Sequence, residues 1–235
     1  MIVLAIETAT VEVGAALVSA DGVLSESRSP CRRRHAEMLH PAVASVCTAA
    51  GVELAELDAV AVDVGPGLFT GLRVGVAAAK AFGFALGIPL VAVRSTEALR
   101  RGARSDPRAS GRVVVPVVDM RRGELAWELP DGSLEIGPPS ALVERLAALA
   151  DDVLLVGDGA RDAAALGDAG RGVGLSFGGD SLAAPPAAAL GAIGVERVGA
   201  GATTDAVAIE PCYLRAADAT ANYETRRFDP PGGRA

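Results

Sequence analysis

Hydrophobic and polar positions change period several times along the chain, and each change marks an element. Residues 2–7 (IVLAIE) are apolar almost without a break, the pattern of a strand buried on both faces. Thr8-Ala9-Thr10 interrupts the run. Residues 12–19 (EVGAALVS), the Asp21-Gly22 pair and residues 23–28 then read as a second strand, a hairpin turn and a third strand. From Arg34 to Ala50, Leu39, Val43, Val46, Cys47 and Ala50 fall on one helical stripe, with Pro41 inside the pattern as a start or a kink. Ala59-Val60-Ala61-Val62 is a further buried strand, broken by Gly65-Pro66-Gly67. Thr70 is placed to cap a long apolar helix, Leu72 to Leu86, which Gly87 closes and Pro89 stops. Residues 89–93 (PLVAV) are again a strand, and Ser95 caps a short helix through Leu99.

The second half repeats this logic. Arg101 to Gly111, with Gly102 and Pro107, reads as a polar linker. A strand follows at 112–119 (RVVVPVVD), a hairpin turn at 121–124, a returning strand at 125–129 and another turn at Asp131-Gly132. Ser140 to Ala150 is a predicted helix. Residues 152–156 form a strand that ends in the glycine loop Gly157-Asp158-Gly159-Ala160. The alanine- and glycine-rich stretch 161–203 is read as helical, and the tail 229–235 (DPPGGRA) as disordered. The expected division is an N-terminal lobe at 1–104, a C-terminal lobe at 105–228 and the tail.

Composition narrows the class. At 235 residues and 50% hydrophobic content the chain can bury a substantial core. The longest apolar stretch carries Arg73 and Lys80 and ends at Pro89, so a soluble protein with no membrane span is expected. The N-terminus starts directly as a strand without a basic segment, so no signal peptide is expected. Cys31, Cys47 and Cys212 form no CxxC pair and suit a reducing, cytoplasmic setting. The net charge of -7 argues against this chain alone gripping a nucleic-acid backbone.

Two stretches carry candidate chemistry. In the central helix Gly71, Gly75, Ala79, Gly83 and Gly87 recur every fourth residue. Glycine costs about 1 kcal/mol against alanine in a helix, so such a ridge implies close approach of another backbone. That backbone belongs either to a helix of the same chain or to a second subunit. The turn after the first strand offers Glu7, Thr8 and Thr10, either as a phosphate cradle or as an ordinary polar hairpin turn. The histidines, His35 and His40, are five apart, about 140° on a helix at ~100° per residue. They read as surface or interface residues, not metal ligands. GPGLFTG is not a P-loop, there is no GxSxG or HExxH, and GDG alone is a weak nucleotide signal.

LAIETAT at the start, RRHAEMLHPAV on the first helix and VDVGPGLFTGLRVGVAAAKAFGFALGIPLVAV in the centre, with GDGA and PCYLR later, resemble the bacterial TsaB family, also called YeaZ. The likeness is strong through residue 130 and weak from 131 to 215, and the GPGxFTGLRxG block is its specific part. The resemblance implies an α/β actin-like ATPase fold of two lobes, each a mixed sheet flanked by helices. It implies a non-catalytic partner that activates the paralogue TsaD in forming N6-threonylcarbamoyladenosine (t6A) at position 37 of tRNAs reading codons that start with A. An ATPase, TsaE, docks on the pair. tRNA is met only through the complex, ATP or ADP and Mg belong to the complex, and the chain alone forms a homodimer. The pairing helices map onto 34–50 and 70–87, so the implied partner face comprises His35, Leu39, Gly71, Leu72, Gly75, Val76, Ala79, Phe82 and Gly83. Thr8, Thr10, Gly65, Gly67, Gly157 and Gly159 are the positions expected nearest a nucleotide. TsaD-like proteins carry an HxxxH metal motif where this chain has His35 and His40, and family members usually show aspartate where it has Glu7. Both departures weaken the alternative, a free-standing kinase or glycoprotease-like metallopeptidase. No catalytic or metal-binding residue is assigned.

Overall fold

The computed structural model describes residues 1–32, 34–149, 151–162 and 174–214. The expected disordered tail, and part of the stretch expected to be helical, lie outside the described residues. The elements are β1 (Ile2–Glu7), β2 (Glu12–Ser19), β3 (Gly22–Pro30), α1 (His35–Ala50), β4 (Ala59–Gly65), α2 (Phe69–Leu86), β5 (Leu90–Arg94), α3 (Ser95–Ala103), β6 (Val113–Asp119), β7 (Leu125–Glu128), β8 (Leu134–Gly137), α4 (Pro139–Ala147), β9 (Val153–Val156), β10 (Leu175–Phe177) and α5 (Ala187–Gly199).

Two five-stranded sheets result, in the orders β3-β2-β1-β4-β5 and β10-β9-β6-β7-β8. Each is an antiparallel meander of three strands whose first strand also pairs with a parallel strand, which in turn carries a second parallel one. The apolar run of β1 explains its central place. Alternate residues go to opposite faces of a strand, so both faces of β1 need a cover. Leu4 and Ile6 pack with Leu39, Val43 and Val46 of α1 and Val76 and Ala79 of α2. Val3 and Ala5 pack with Ala98 of α3 and Leu190 and Ile193 of α5. The second sheet packs Trp127 and Leu155 against Leu142 and Leu146 of α4. Its other face takes Leu99 and Ala103 of α3. Helix α3 therefore lies between the sheets and serves both cores.

Several boundaries differ from those expected. Helix α2 starts at Phe69 with Leu68 at its N-cap, and Thr70 is exposed and caps nothing. Helix α3 runs on through residues 101–103, assigned above to the linker, because Ala103 has a buried site to fill. Pro41 neither starts nor breaks α1. It lies on the solvent side, where water can take the carbonyl that its missing N–H leaves. Strands β8 and β10 were not anticipated, and β10 falls in the stretch read as helical. At four and three residues they are too short for a period to show. After α5 the chain returns across the first sheet. Leu90 and Thr204 exchange backbone hydrogen bonds of 3.0 and 2.7 Å, Ile209 is buried, and the Cys212 N–H donates to Val64 O at 2.6 Å.

Candidate functional site: the first turn and the outer helix face

The glycine ridge of α2 faces inward. A Cβ on Gly71 would overlap the carbonyl oxygen of Thr8, and one on Gly75 would overlap the Thr8 hydroxyl. Gly83 lies against Leu90 and the Ile88 carbonyl. The expected partner face is corrected accordingly. His35, Leu39, Gly71, Leu72, Gly75, Val76, Ala79 and Gly83 are buried in the chain's own first lobe, and Phe82 is half-buried. The backbone that the missing side chains admit is the turn after β1. His35 is likewise not a surface residue, because its Nε2 donates to Thr10 O at 2.7 Å. Helix α2 is apolar and long enough on length and composition to cross a membrane, yet this ridge packs on the chain's own sheet.

That turn is sealed by the segment that launches α2. The Leu68 N–H donates to Ala9 O at 2.7 Å, and Gly67 sits so close to Ala9 that a Cβ would overlap it. The Thr8 hydroxyl donates to Gly71 O at 2.9 Å, and the Ala9 N–H goes to Glu7 Oε1 at 2.7 Å. Gly65 packs on Leu72 and the Cys212 carbonyl. Thr8 and Thr10 are 0% and 1% exposed. A phosphate cradle needs open backbone donors, and Thr8, Thr10, Gly65 and Gly67 as placed here do not fit a nucleotide. Gly157 and Gly159 likewise press on β6, at Val117 and Val118.

Beneath the turn lie two acids that sequence reading left without a role. Asp63, at the end of β4, and Glu7, at the end of β1, are 0% and 1% exposed on paired parallel strands. Burial pushes Asp63 up to about 7, against the pull of its hydrogen bonds with Ser95 and Gly65. Burial first, then the Asp63 charge, raises Glu7 well above the usual carboxylate range. In the second lobe Asp158 accepts the Asp119 N–H at 2.9 Å, and desolvation raises it to about 6. Between the lobes Glu128 of β7, 1% exposed, accepts from Thr96 Oγ1 at 2.6 Å and Arg100 Nη1 at 2.7 Å, and pairs with Arg94 at 3.3 Å. Sequence could not bring Glu128 and its partners together, because they sit on β5, α3 and β7.

What α2 does present to solvent is Arg73, Ala77, Ala81 and Phe84, an outward stripe at helical spacing, with Phe84 78% exposed. Helix α1 lies alongside, His40 stacking 6.1 Å from Phe82 between ring centroids and Pro41 and Ala44 exposed. A groove of about 660 Å³ runs between them, lined by His40, Val43, Ala44, Cys47, Leu54 and Phe82. At the start of α2, Arg73 stacks over Phe69 at 3.9 Å and its Nε donates to the Tyr213 hydroxyl at 3.1 Å.

Two mixed sheets of one strand order, joined through a shared helix and flanked by others, define a two-lobe α/β protein of the actin-like class. The profile of the family described as TsaD, tRNA N6-adenosine threonylcarbamoyltransferase, matches residues 22–151. The chain is 28% identical over 225 residues to the tRNA threonylcarbamoyladenosine biosynthesis protein TsaB of Escherichia coli, covering 92% of this chain and 95% of that protein. The solved structure of YeaZ from Pseudomonas aeruginosa superposes with a TM-score of 0.74 at 26% identity, covering 91% of this chain and 99% of that one. An uncharacterized protein of Mycobacterium tuberculosis is 42% identical over 139 residues, 58% of this chain. The matched stretch spans 63% of that mycobacterial relative and 38% of one from Mycobacterium leprae. The chain belongs to the tRNA N6-adenosine threonylcarbamoyltransferase family, in its TsaB/YeaZ group.

Proposed function

We propose that this chain acts in t6A biosynthesis as a non-catalytic partner that binds the TsaD paralogue through the outer face of α1 and α2 and holds it in a competent arrangement. The observation that carries this reading is the outward stripe of α2. Its inner ridge is already taken by the chain's own first turn, yet the opposite side shows Ala77, Ala81 and Phe84 to solvent. A largely exposed phenylalanine on an apolar stripe is the pattern of a docking surface. In this reading the same face closes a homodimer when the partner is absent, TsaE docks on the pair, and tRNA, ATP or ADP and Mg are bound by the assembly in the cytoplasm. The name of the Escherichia coli relative and the family match support the pathway, and the sealed first turn supports a subunit without its own nucleotide chemistry.

Size-exclusion chromatography with light scattering tests it, with this chain alone and mixed with its cognate TsaD. Co-elution as a heterodimer is expected, and Phe84→Glu should weaken it by roughly 30-fold, about 2 kcal/mol at a central contact. Absence of a complex at micromolar concentration would overturn the reading. ATP hydrolysis by the chain alone would point instead to a free-standing enzyme.

A further inference from the structure

Among the described residues, Asp63 and Glu7 are buried side by side without an ion pair of their own. Ile6 of β1 pairs with Val62 of β4, which sets the next residues, Glu7 and Asp63, against each other. Glu7 accepts from the Ala9 N–H at 2.7 Å. Asp63 Oδ1 accepts from the Gly65 N–H at 2.7 Å and lies 2.6 Å from Ser95 Oγ, while its Oδ2 is buried without a hydrogen-bond partner.

The cations around the pair form their ion pairs elsewhere, although the Arg28 charge still pulls Glu7 down against its burial. Arg28 of β3 is bound to Glu12 of β2, and Arg94 of β5 to Glu128. Arg73 of α2 turns outward to Phe69 and Tyr213. His35 of α1 donates to Thr10 O, and Glu97 of α3 is paired with Arg197 of α5. Beside Gly14, next to Glu7, α5 places the methyl of Ala187, and the C-terminal segment places Cys212 near Asp63.

Ser95 has one hydroxyl hydrogen and two close oxygen neighbours. Its Oγ lies 2.6 Å from Asp63 Oδ1 and 2.8 Å from Pro66 O. If Asp63 is ionised, both neighbours are acceptors and one hydroxyl hydrogen must serve two. If Oδ1 carries a proton, it donates to Ser95 Oγ, and Ser95 donates to Pro66 O. A proton on Oδ1 gives each of the two contacts its own hydrogen and leaves a lone pair of Oδ1 for the Gly65 N–H. The partnerless Oδ2 is also less costly on a neutral acid than on an anion.

We propose that Asp63 is held as a carboxylic acid whose proton latches the end of β4 to α3 and to the Gly65-Pro66-Gly67 turn, and so fixes the start of α2 on the first turn. Glu7, coupled to Asp63, titrates with it as a pair. The raised positions of both acids agree with this. A folded state that holds a proton the unfolded chain has lost is stabilised at low pH. The contribution is complete below the ordinary carboxylate range and is lost as pH rises through about 7.

Carboxyl carbon NMR on the wild-type chain labelled at aspartate and glutamate tests the latch directly, with amide hydrogen exchange beside it. The Asp63 resonance should titrate near pH 7, apart from that of Asp158 near 6. The protection factors of Leu68 and Leu72, whose N–H groups seal the turn and open α2, should fall by up to about 100-fold between pH 5 and pH 8, tenfold per pH unit until the proton is lost near 7. Asp63→Asn should flatten that fall. Ionisation of Asp63 by pH 5, its carboxyl resonance assigned through the backbone, or protection factors unchanged across the range, overturns the proposal. The wild-type measurements decide the matter even if the variant fails to fold.

Discussion

The two sheets share a strand order but differ in depth. In the first, the five strands run to six, eight, nine, seven and five residues, and β1, β2 and β4 are buried along nearly their whole length. In the second only β6 reaches seven, and the rest have three or four. The first is covered by α1 and α2 on one face and α5 on the other. The second relies on α4 and borrows α3. Each topology presents a turn at the end of its first strand. In the first lobe the chain folds 65–72 onto that turn and closes it. In the second, Arg121 and Arg122 occupy left-handed backbone at φ 63° and 59° and stay exposed, with the Asp119 carboxylate accepting from the Arg121 N–H at 2.7 Å. A shared topology therefore does not give two equivalent sites. What lies on the turn decides, and that depends on where small residues let a helix approach.

The comparison can be broken most severely at Trp127, the largest side chain of the second core. Trp127→Ala should cost about 4 kcal/mol. Hydrogen exchange should then show β6 to β9 opening while β1, β2 and β4 remain protected. Simultaneous loss of both sheets would mean that the lobes fold as one unit. Next comes Gly75→Leu, where the new side chain must displace Thr8. A loss of about 3 kcal/mol is expected in denaturant unfolding, concentrated in the first lobe.

The link between lobes is tested by Glu128→Gln, which removes the charge that Arg94 and Arg100 face. Both arginines are partly exposed, so a cost of about 2 kcal/mol is expected, below the range for fully buried pairs. Asp158→Asn sharpens the comparison through pH. The folded carboxyl is raised to about 6, so its stabilising contribution is present below the ordinary aspartate range and lost as pH rises through 6. The variant should gain up to about 2 kcal/mol at pH 8 relative to wild type, discounted for partial exposure, and little at pH 4. The smallest effect belongs to Ala77→Leu. It lies on the same helix as Gly75 but on the outer side, and should shift stability by no more than about 0.5 kcal/mol.

Much of the fold could be read from the chain. The unbroken apolar runs of β1 and β4 required sheets covered on both faces, and the stripe from Leu39 to Cys47 required an amphipathic α1. The glycine spacing of α2 established that something approaches its backbone closely. It could not say what, because the same ridge suits a neighbouring subunit and the chain's own turn equally well. The glycines of α5 carry the same signal, and sequence reading passed over them. Gly194 would hold a Cβ 2.8 Å from Ala61, and Gly191 abuts Val18. Short strands such as β10 leave no period to detect, and Ser95 looked like a cap when its hydroxyl serves Asp63 and Pro66.

Local pattern by itself determined the two repeated strand-rich halves, the helical stripes and the need for a close contact along α2, because period and residue size act over a few neighbours. Only the tertiary structure decided that the ridge is filled by Thr8, that Phe84 and not Gly75 faces outward, and that Glu7, Asp63 and Ser95 meet. Those outcomes depend on the register between strands and the rotation of a helix about its axis, set by packing between residues far apart in sequence.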